Sequence, residues 1–160
     1  MPYPIQSPSN PTAPSLEVWE SIITGVRASR PDYVAGALPA VFGIPAGAVV
    51  PAETLQHYER IIAQADGLAI ERTSKLLVER DFTPEVTRLG EQGKDGVRLL
   101  LVHGGSDSGM PYEASAGIVK KLVPRAEVKI YEKGGHGLMV THAGQLLNDI
   151  LAFVESIETN

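Results

Sequence analysis

Two short apolar runs, each ending near a glycine pair, constrain this chain more than any other feature. Residues 97–102 read Val-Arg-Leu-Leu-Leu-Val and run into His103-Gly104-Gly105, with Asp107 just beyond. Residues 128–131 read Val-Lys-Ile-Tyr and stop at Gly134-Gly135, with His136 next. Runs of this length bounded by glycine read as strands, and residues 113–122 between them carry helical spacing. The unit expected is β-α-β, with parallel strands and a right-handed crossover. Both strands then end on one edge of the sheet. Asp107 and His136 should project from neighbouring loops at that carboxyl edge, where open α/β sheets place their sites. An acid delivered beside a histidine supplies two members of a nucleophile–histidine–acid triad. The third member is missing from this reading.

The remainder of the chain sorts into an arm, a helical block and a last helix. Residues 1–15 hold prolines at 2, 4, 8, 11 and 14, which forbids a helix and leaves little to bury. An extended or disordered arm is expected there. Ser15 reads as the cap of a helix reaching about Ala28, with Val18, Ile22, Ile23 and Val26 on one face. A second short helix follows Pro31 to Phe42, residues 43–47 form a turn, and Pro51 opens a third helix carrying Leu55, Tyr58, Ile61 and Ile62. A fourth runs from Gly67 to about Arg80. Thr83 should cap a fifth, with Pro84 in its first position and Glu85 favourable to the dipole. Residues 90–96 read as a polar loop. After His136, the spacing of Ala143, Leu146, Leu147, Ile150, Leu151 and Val154 predicts a helix lying on a sheet face. Three regions result: the arm (1–15), a helical region (16–93) and an α/β segment (94–160).

Composition excludes several classes. A length of 160 residues suits one domain with its own core. The net charge of −5 and the lack of a basic stripe argue against a nucleic-acid surface. With no cysteine, neither a disulfide framework nor thiol chemistry is available. No apolar run approaches membrane-spanning length and no signal-peptide pattern opens the sequence, so a cytoplasmic location is expected. Neither metal-ligand spacing nor a phosphate loop is found, and no metal or cofactor is expected.

The motifs together resemble one known group. His103-Gly104-Gly105-Ser106-Asp107, followed by Met110-Pro111 and Glu113-Ala114-Ser115, is similar to the end of the acid-bearing strand in α/β-hydrolases. The branch it resembles most is the cofactor-free haloperoxidases and perhydrolases, an esterase-like group. Gly135-His136-Gly137-Leu138 with Thr141-His142 resembles that group's catalytic histidine loop. Glu17-Val18-Trp19 and Asp81-Phe82-Thr83 are similar to its cap region. The resemblance covers nearly everything after residue 15. It implies the C-terminal part of an α/β-hydrolase fold: a helical cap followed by a β-α-β-α unit with parallel strands. In that family the nucleophile sits on a Gly-x-Ser-x-Gly turn upstream of the cap. No such string occurs in this sequence, and the family's early His-Gly oxyanion loop has no counterpart either. Gly105 and Gly109 stand where the family carries an acidic and a β-branched residue, which should loosen the loop holding Asp107.

The resemblance implies catalytic ancestry for Asp107, as the acid that orients the imidazole, and for His136, as the base. Ser106 and Ser108 lie nearby, but attack needs hydrogen-bond reach to the base and an oxyanion hole; a role in solvating the loop suits them better. His103 and His142 read as structural, and Trp19 as helix packing with an acyl pocket as its other possible use. Two parallel strands alone do not make a stable open sheet, so a homo-oligomer or a complementing partner chain is expected. Three functional readings follow. The leading one is hydrolase-type chemistry on a small ester, acyl or epoxide substrate through Asp107 and His136. The others are a catalytically inactive binding or scaffold protein, and a truncated gene product.

Overall fold

The computed structural model describes residues 1–92 and 96–158. The expected region boundary at 93/94 and the centre of the expected loop over 90–96 lie outside the described residues. Five helices come first: α1 (Leu16–Ala28), α2 (Arg30–Val41), α3 (Ala52–Ala63), α4 (Gly67–Glu79) and α5 (Thr83–Glu91). Strand β1 (Leu100–Gly104), helix α6 (Ala116–Leu122) and strand β2 (Glu127–Tyr131) follow, then a one-turn helix α7 (Leu138–Thr141) and the long α8 (Ala143–Glu158). The strands pair in parallel, with Leu100 opposite Glu127 and Gly104 opposite Tyr131.

Local chemistry moves several expected boundaries. β1 starts three residues later than its apolar run and ends on Gly104. The ladder is the reason: Leu99 accepts from the Glu127 N–H, so pairing begins only where β2 begins, and Val97 is left exposed, its carbonyl taken by Arg125. The segment between the strands is broken, a 3₁₀ turn at Tyr112–Ala114 and then α6, because Ser115 leaves helical dihedrals and bonds the carbonyls of Met110 and Pro111. At α5 the cap position falls on Phe82, and the Asp81 carboxylate accepts from the Thr83 N–H at 2.8 Å, so Asp81 does the work expected of Thr83. α4 is capped by Asp66, whose side chain accepts from the Ala69 N–H.

The proline-rich arm has no helix, yet it is anchored. Pro2, Pro4, Asn10 and Ala13 are buried. Asn10 Nδ2 donates to the Ala114 carbonyl at 2.8 Å, and the Pro2 and Pro4 carbonyls accept from the Phe82 N–H and Trp19 Nε1. Buried backbone groups require partners, and here the arm and the helical block supply them to each other.

α8 turns its apolar stripe the other way from the sequence expectation. Leu146 and Phe153 are half-buried, whereas Leu147, Ile150, Leu151 and Val154 are 42–56% exposed. Polar contacts fix the rotation of this helix. Asp149 accepts from the Tyr131 hydroxyl and pairs with Lys129, and Arg98 reaches Ser156. Leu38, Phe42, Tyr131 and Leu138 are buried where the helical block meets the carboxyl edge of the sheet, and Val123 and Ala126 are buried just before β2, at the opposite end of the strands. Among the described residues no helix is long and apolar enough to cross a membrane.

Candidate active site

Two loops at the carboxyl edge deliver the acid and the histidine. The loop after β1 is tied to the loop after β2 by main-chain bonds: Gly105 N–H to the Tyr131 carbonyl at 2.8 Å and Ser106 N–H to the Gly134 carbonyl at 2.9 Å. The Ser106 hydroxyl adds a bond to the Glu132 carbonyl at 2.9 Å. At Gly105 the loop is therefore tied down rather than loosened. A Cβ at 105 would fall about 3 Å from the Glu132 backbone, so glycine lets the two loops approach this closely without a backbone shift. The second loop is held from the other side by the α2 terminus, whose Val41 carbonyl accepts from the Gly137 N–H at 2.8 Å. Helical block and sheet thus position His136 jointly.

The structure brings Asp107 and His136 together. Nδ1 of His136 lies 2.7 Å from Oδ2 of Asp107. The other carboxylate oxygen accepts from the Met110 N–H at 2.9 Å, a contact that sequence reading missed, although Met110-Pro111 is part of the resembling motif. The carboxylate is almost sealed, at 4% exposure, while the imidazole is 59% exposed. Burial alone would push the Asp107 carboxyl up. The bonds from His136 and Met110 outweigh it and hold the group below its ordinary value. His136 moves the opposite way, raised first by its hydrogen bond to Asp107 and opposed by partial burial. An acceptor fixed on Nδ1 orients the ring and leaves Nε2 as the position for proton exchange.

The other candidates separate clearly. Ser106 and Ser108 line a different, smaller cavity of about 220 Å³ with Ala40, Gly43, Pro45 and Ala46. Asp107 and His136 line a cavity of about 390 Å³, shared with Pro2, Pro4, Trp19, Phe82, Met110 and Leu138. Trp19 thus walls the site as well as packing within the helical block. Larger grooves, of about 700 and 640 Å³, lie between the helices of that block, away from Asp107 and His136. His142 bonds the Thr141 hydroxyl at 2.8 Å and tilts against Tyr131. His103 is buried edge-on to Tyr112, and its Nε2 has no hydrogen-bond partner among the described residues. Burial lowers its pKa. Among the described residues, no three His, Cys, Asp or Glu side chains gather as a metal ion would require.

No protein-family model matches the chain. It is 29% identical over 157 residues to a non-heme chloroperoxidase of Streptomyces lividans, covering 97% of this chain and 55% of that protein. A non-heme haloperoxidase of Rhodococcus erythropolis is 27% identical over the same length, again with 55% of it covered. Among solved structures, an esterase from Exiguobacterium antarcticum superposes with a TM-score of 0.84 at 17% identity, covering 96% of this chain and 53% of the esterase. A bromoperoxidase from Bacillus anthracis gives 0.82 at 22% identity, with 54% of it covered. The chain spans about half the length of the curated relatives it matches.

Proposed function

We infer that this chain, a partial α/β-hydrolase fold related to the haloperoxidase-like branch, carries the acid–base half of a hydrolase site and acts on a small ester, acyl or epoxide substrate. The observation that carries this reading is the 2.7 Å contact between His136 Nδ1 and a sealed Asp107 carboxylate, beside a cavity walled mostly by apolar side chains. In the simplest reaction His136 Nε2 takes a proton from water as its oxygen adds to an ester carbonyl. Asp107 stabilises the imidazolium that forms. The same proton then passes to the departing alkoxide, giving acid and alcohol. On an epoxide the proton returns to the opened alkoxide, giving a diol.

The test is turnover of a p-nitrophenyl ester by the purified chain beside His136→Ala, with a serine-directed fluorophosphonate probe on both. Turnover lost in the variant, with folding retained, supports the pair as base. Probe labelling of the wild type would point to Ser106 or Ser108 as a replacement nucleophile. A folded chain with turnover equal to that of the variant overturns the catalytic assignment.

One observation favours a second reading, a binding protein without catalysis. The sequence contains no Gly-x-Ser-x-Gly turn, and the hydroxyl of Ser106 is spent on the Glu132 carbonyl. On that reading an apolar ligand in the cavity is retained with equal affinity by His136→Ala.

A further inference from the structure

Trp19, the sole tryptophan of the sequence, borders two spaces. It lines the cavity of Asp107 and His136, and it also lines the groove of about 700 Å³ between α1 and α4. Its indole N–H donates to the Pro4 carbonyl at 3.1 Å, and Pro4 belongs to the wall of the inner cavity. The groove is built by two helix faces that confront each other without closing. α1 contributes Leu16, Trp19 and Ile23, and α4 contributes Leu68 and Val78. A fork from Arg27 to Glu71, at 2.8 and 2.6 Å, ties the last turn of α1 to α4. The floor stays open: Leu16 and Leu68 are 45% and 54% exposed, and Ile23 and Val78 are half-buried. Three basic and three acidic side chains border the groove, and Arg27–Glu71 and Lys75–Glu79 pair among them. The rim offers a ligand no net charge, while the floor offers aliphatic and aromatic surface. A mostly apolar lining of this size is that of a small-molecule site.

We propose that the groove between α1 and α4 seats a linear acyl chain, whose ester end lies past Trp19 in the cavity beside His136. Within the small-molecule class proposed above, this selects esters with an extended, unbranched chain. The dimensions choose the occupant. From Leu16 to Arg27 the groove follows α1 for about 16 Å, at a helical rise of 1.5 Å per residue. A docked helix of that length, roughly 10 Å across, fills roughly 1,200 Å³ and does not fit the groove. An extended chain one methylene wide does. A charged ligand meets a balanced rim and gains little from it. Trp19 is then a specificity-determining residue, the surface over which the chain turns from the groove into the cavity. For its ester end the inference rests on the assignment of Asp107 and His136 above; for the seat of the chain it does not.

Because Trp19 is the only tryptophan, its fluorescence reports on both spaces. The experiment titrates the full chain with methyl decanoate brominated in mid-chain and reads contact quenching of that fluorescence. Turnover of p-nitrophenyl decanoate and acetate is measured alongside. The expected result is saturable quenching whose Kd is weakened at least tenfold by Leu68→Asp or by Leu16→Asp, on opposite walls. Val49→Asp places the same charge at a 94% exposed position outside the groove and should leave the quenching unchanged. All three positions are exposed, so none of these changes should unfold the chain, which circular dichroism checks. His136→Ala should keep the quenching and abolish turnover of both esters. In the wild type kcat/KM should be higher for decanoate than for acetate, and Leu68→Asp should lower that ratio at least tenfold. Quenching without His136-dependent turnover retains the seat and removes the catalytic reading. No saturable quenching, or quenching that both groove variants leave unaltered, overturns the inference. So does a dimer that Leu68→Asp dissociates, since a second copy then fills the groove.

Discussion

Gly104 and Gly135 lie so close that a Cβ on Gly104 would fall 2.1 Å from the Gly135 carbonyl oxygen and 2.4 Å from that of Gly134. This contact joins the end of β1 to the histidine loop, and it sets the spacing of Asp107 and His136. Gly104→Ala must therefore move backbone rather than a flexible side chain. Overpacking of that kind costs roughly 1–3 kcal/mol and occasionally more. The expected outcome is a drop of at least about 2 kcal/mol in denaturant-unfolding stability. Gly36→Ala is the control, since nothing lies within 4 Å of its Cβ position in α2. Helix propensity makes that change neutral or stabilising by up to about 1 kcal/mol.

Asn10→Ala tests the anchoring of the arm. The Asn10 side chain donates to the Ala114 carbonyl, in a buried bond, and to the Tyr3 carbonyl at 3.3 Å. Removing it leaves the Ala114 acceptor buried and unpaired, at a cost of about 1–3 kcal/mol. Unfolding midpoints should fall accordingly, and proteolysis should reach residues 1–14 sooner than in the wild type. An unchanged midpoint and unchanged cleavage would mean the arm is not held in solution.

What was legible in the sequence is local, and what was not depends on distant partners. Gly104-Gly105 and Gly134-Gly135 stop two apolar runs, which is enough to predict parallel strands and to bring Asp107 beside His136. The arm was harder to read. Its polar residues have no periodicity, and its anchor, the bond from Asn10 to Ala114, joins residues 104 positions apart. The spacing on α8 reveals its apolar stripe but not the direction it faces, because Asp149 and Ser156, polar residues on the helix, tie the opposite side to the sheet. In the sequence Met110 stands out only as part of a motif. Its role comes from a main-chain N–H, which side-chain identity does not reveal.

His103→Leu examines a buried histidine nitrogen left without a hydrogen-bond partner among the described residues. Burial lowers the pKa of His103, against an opposing pull from the Asp107 carboxylate and the Met110 backbone. A histidine held neutral by the fold contributes stability that is present above the unfolded value near 6.5 and lost as pH falls through the lower folded value. The variant relieves the unpaired Nε2 but gives up the edge-on ring contact with Tyr112, so its stability at neutral pH should stay within about 1 kcal/mol of wild type. Its stability should also fall less steeply below pH 6.5. A parallel acid limb in both proteins would show that His103 is not the group responsible.

His136 titrates with the opposite sign, and this separates the two histidines. Its pKa is raised above the ordinary 6.5, first by the hydrogen bond to Asp107. The stabilisation from that contact is complete below 6.5 and fades as pH rises through the higher folded value. The Asp107 side of the pair is held below the ordinary 3.8, so its share is present above 3.8 and is lost as pH falls through the lower folded value. A base must be neutral to accept a proton, so any turnover should rise with pH to a midpoint above 6.5. Asp107→Asn removes the charge but leaves a group of nearly the same shape. Partial burial then acts on His136 with less opposition, and the titration midpoint should move down toward or past 6.5. Proton NMR titration of the His136 ring, assigned by loss of the signal in His136→Ala, measures this directly. A wild-type midpoint at or below 6.5 that Asp107→Asn does not move would mean the 2.7 Å contact is not populated in water, and the acid–base reading would fall with it.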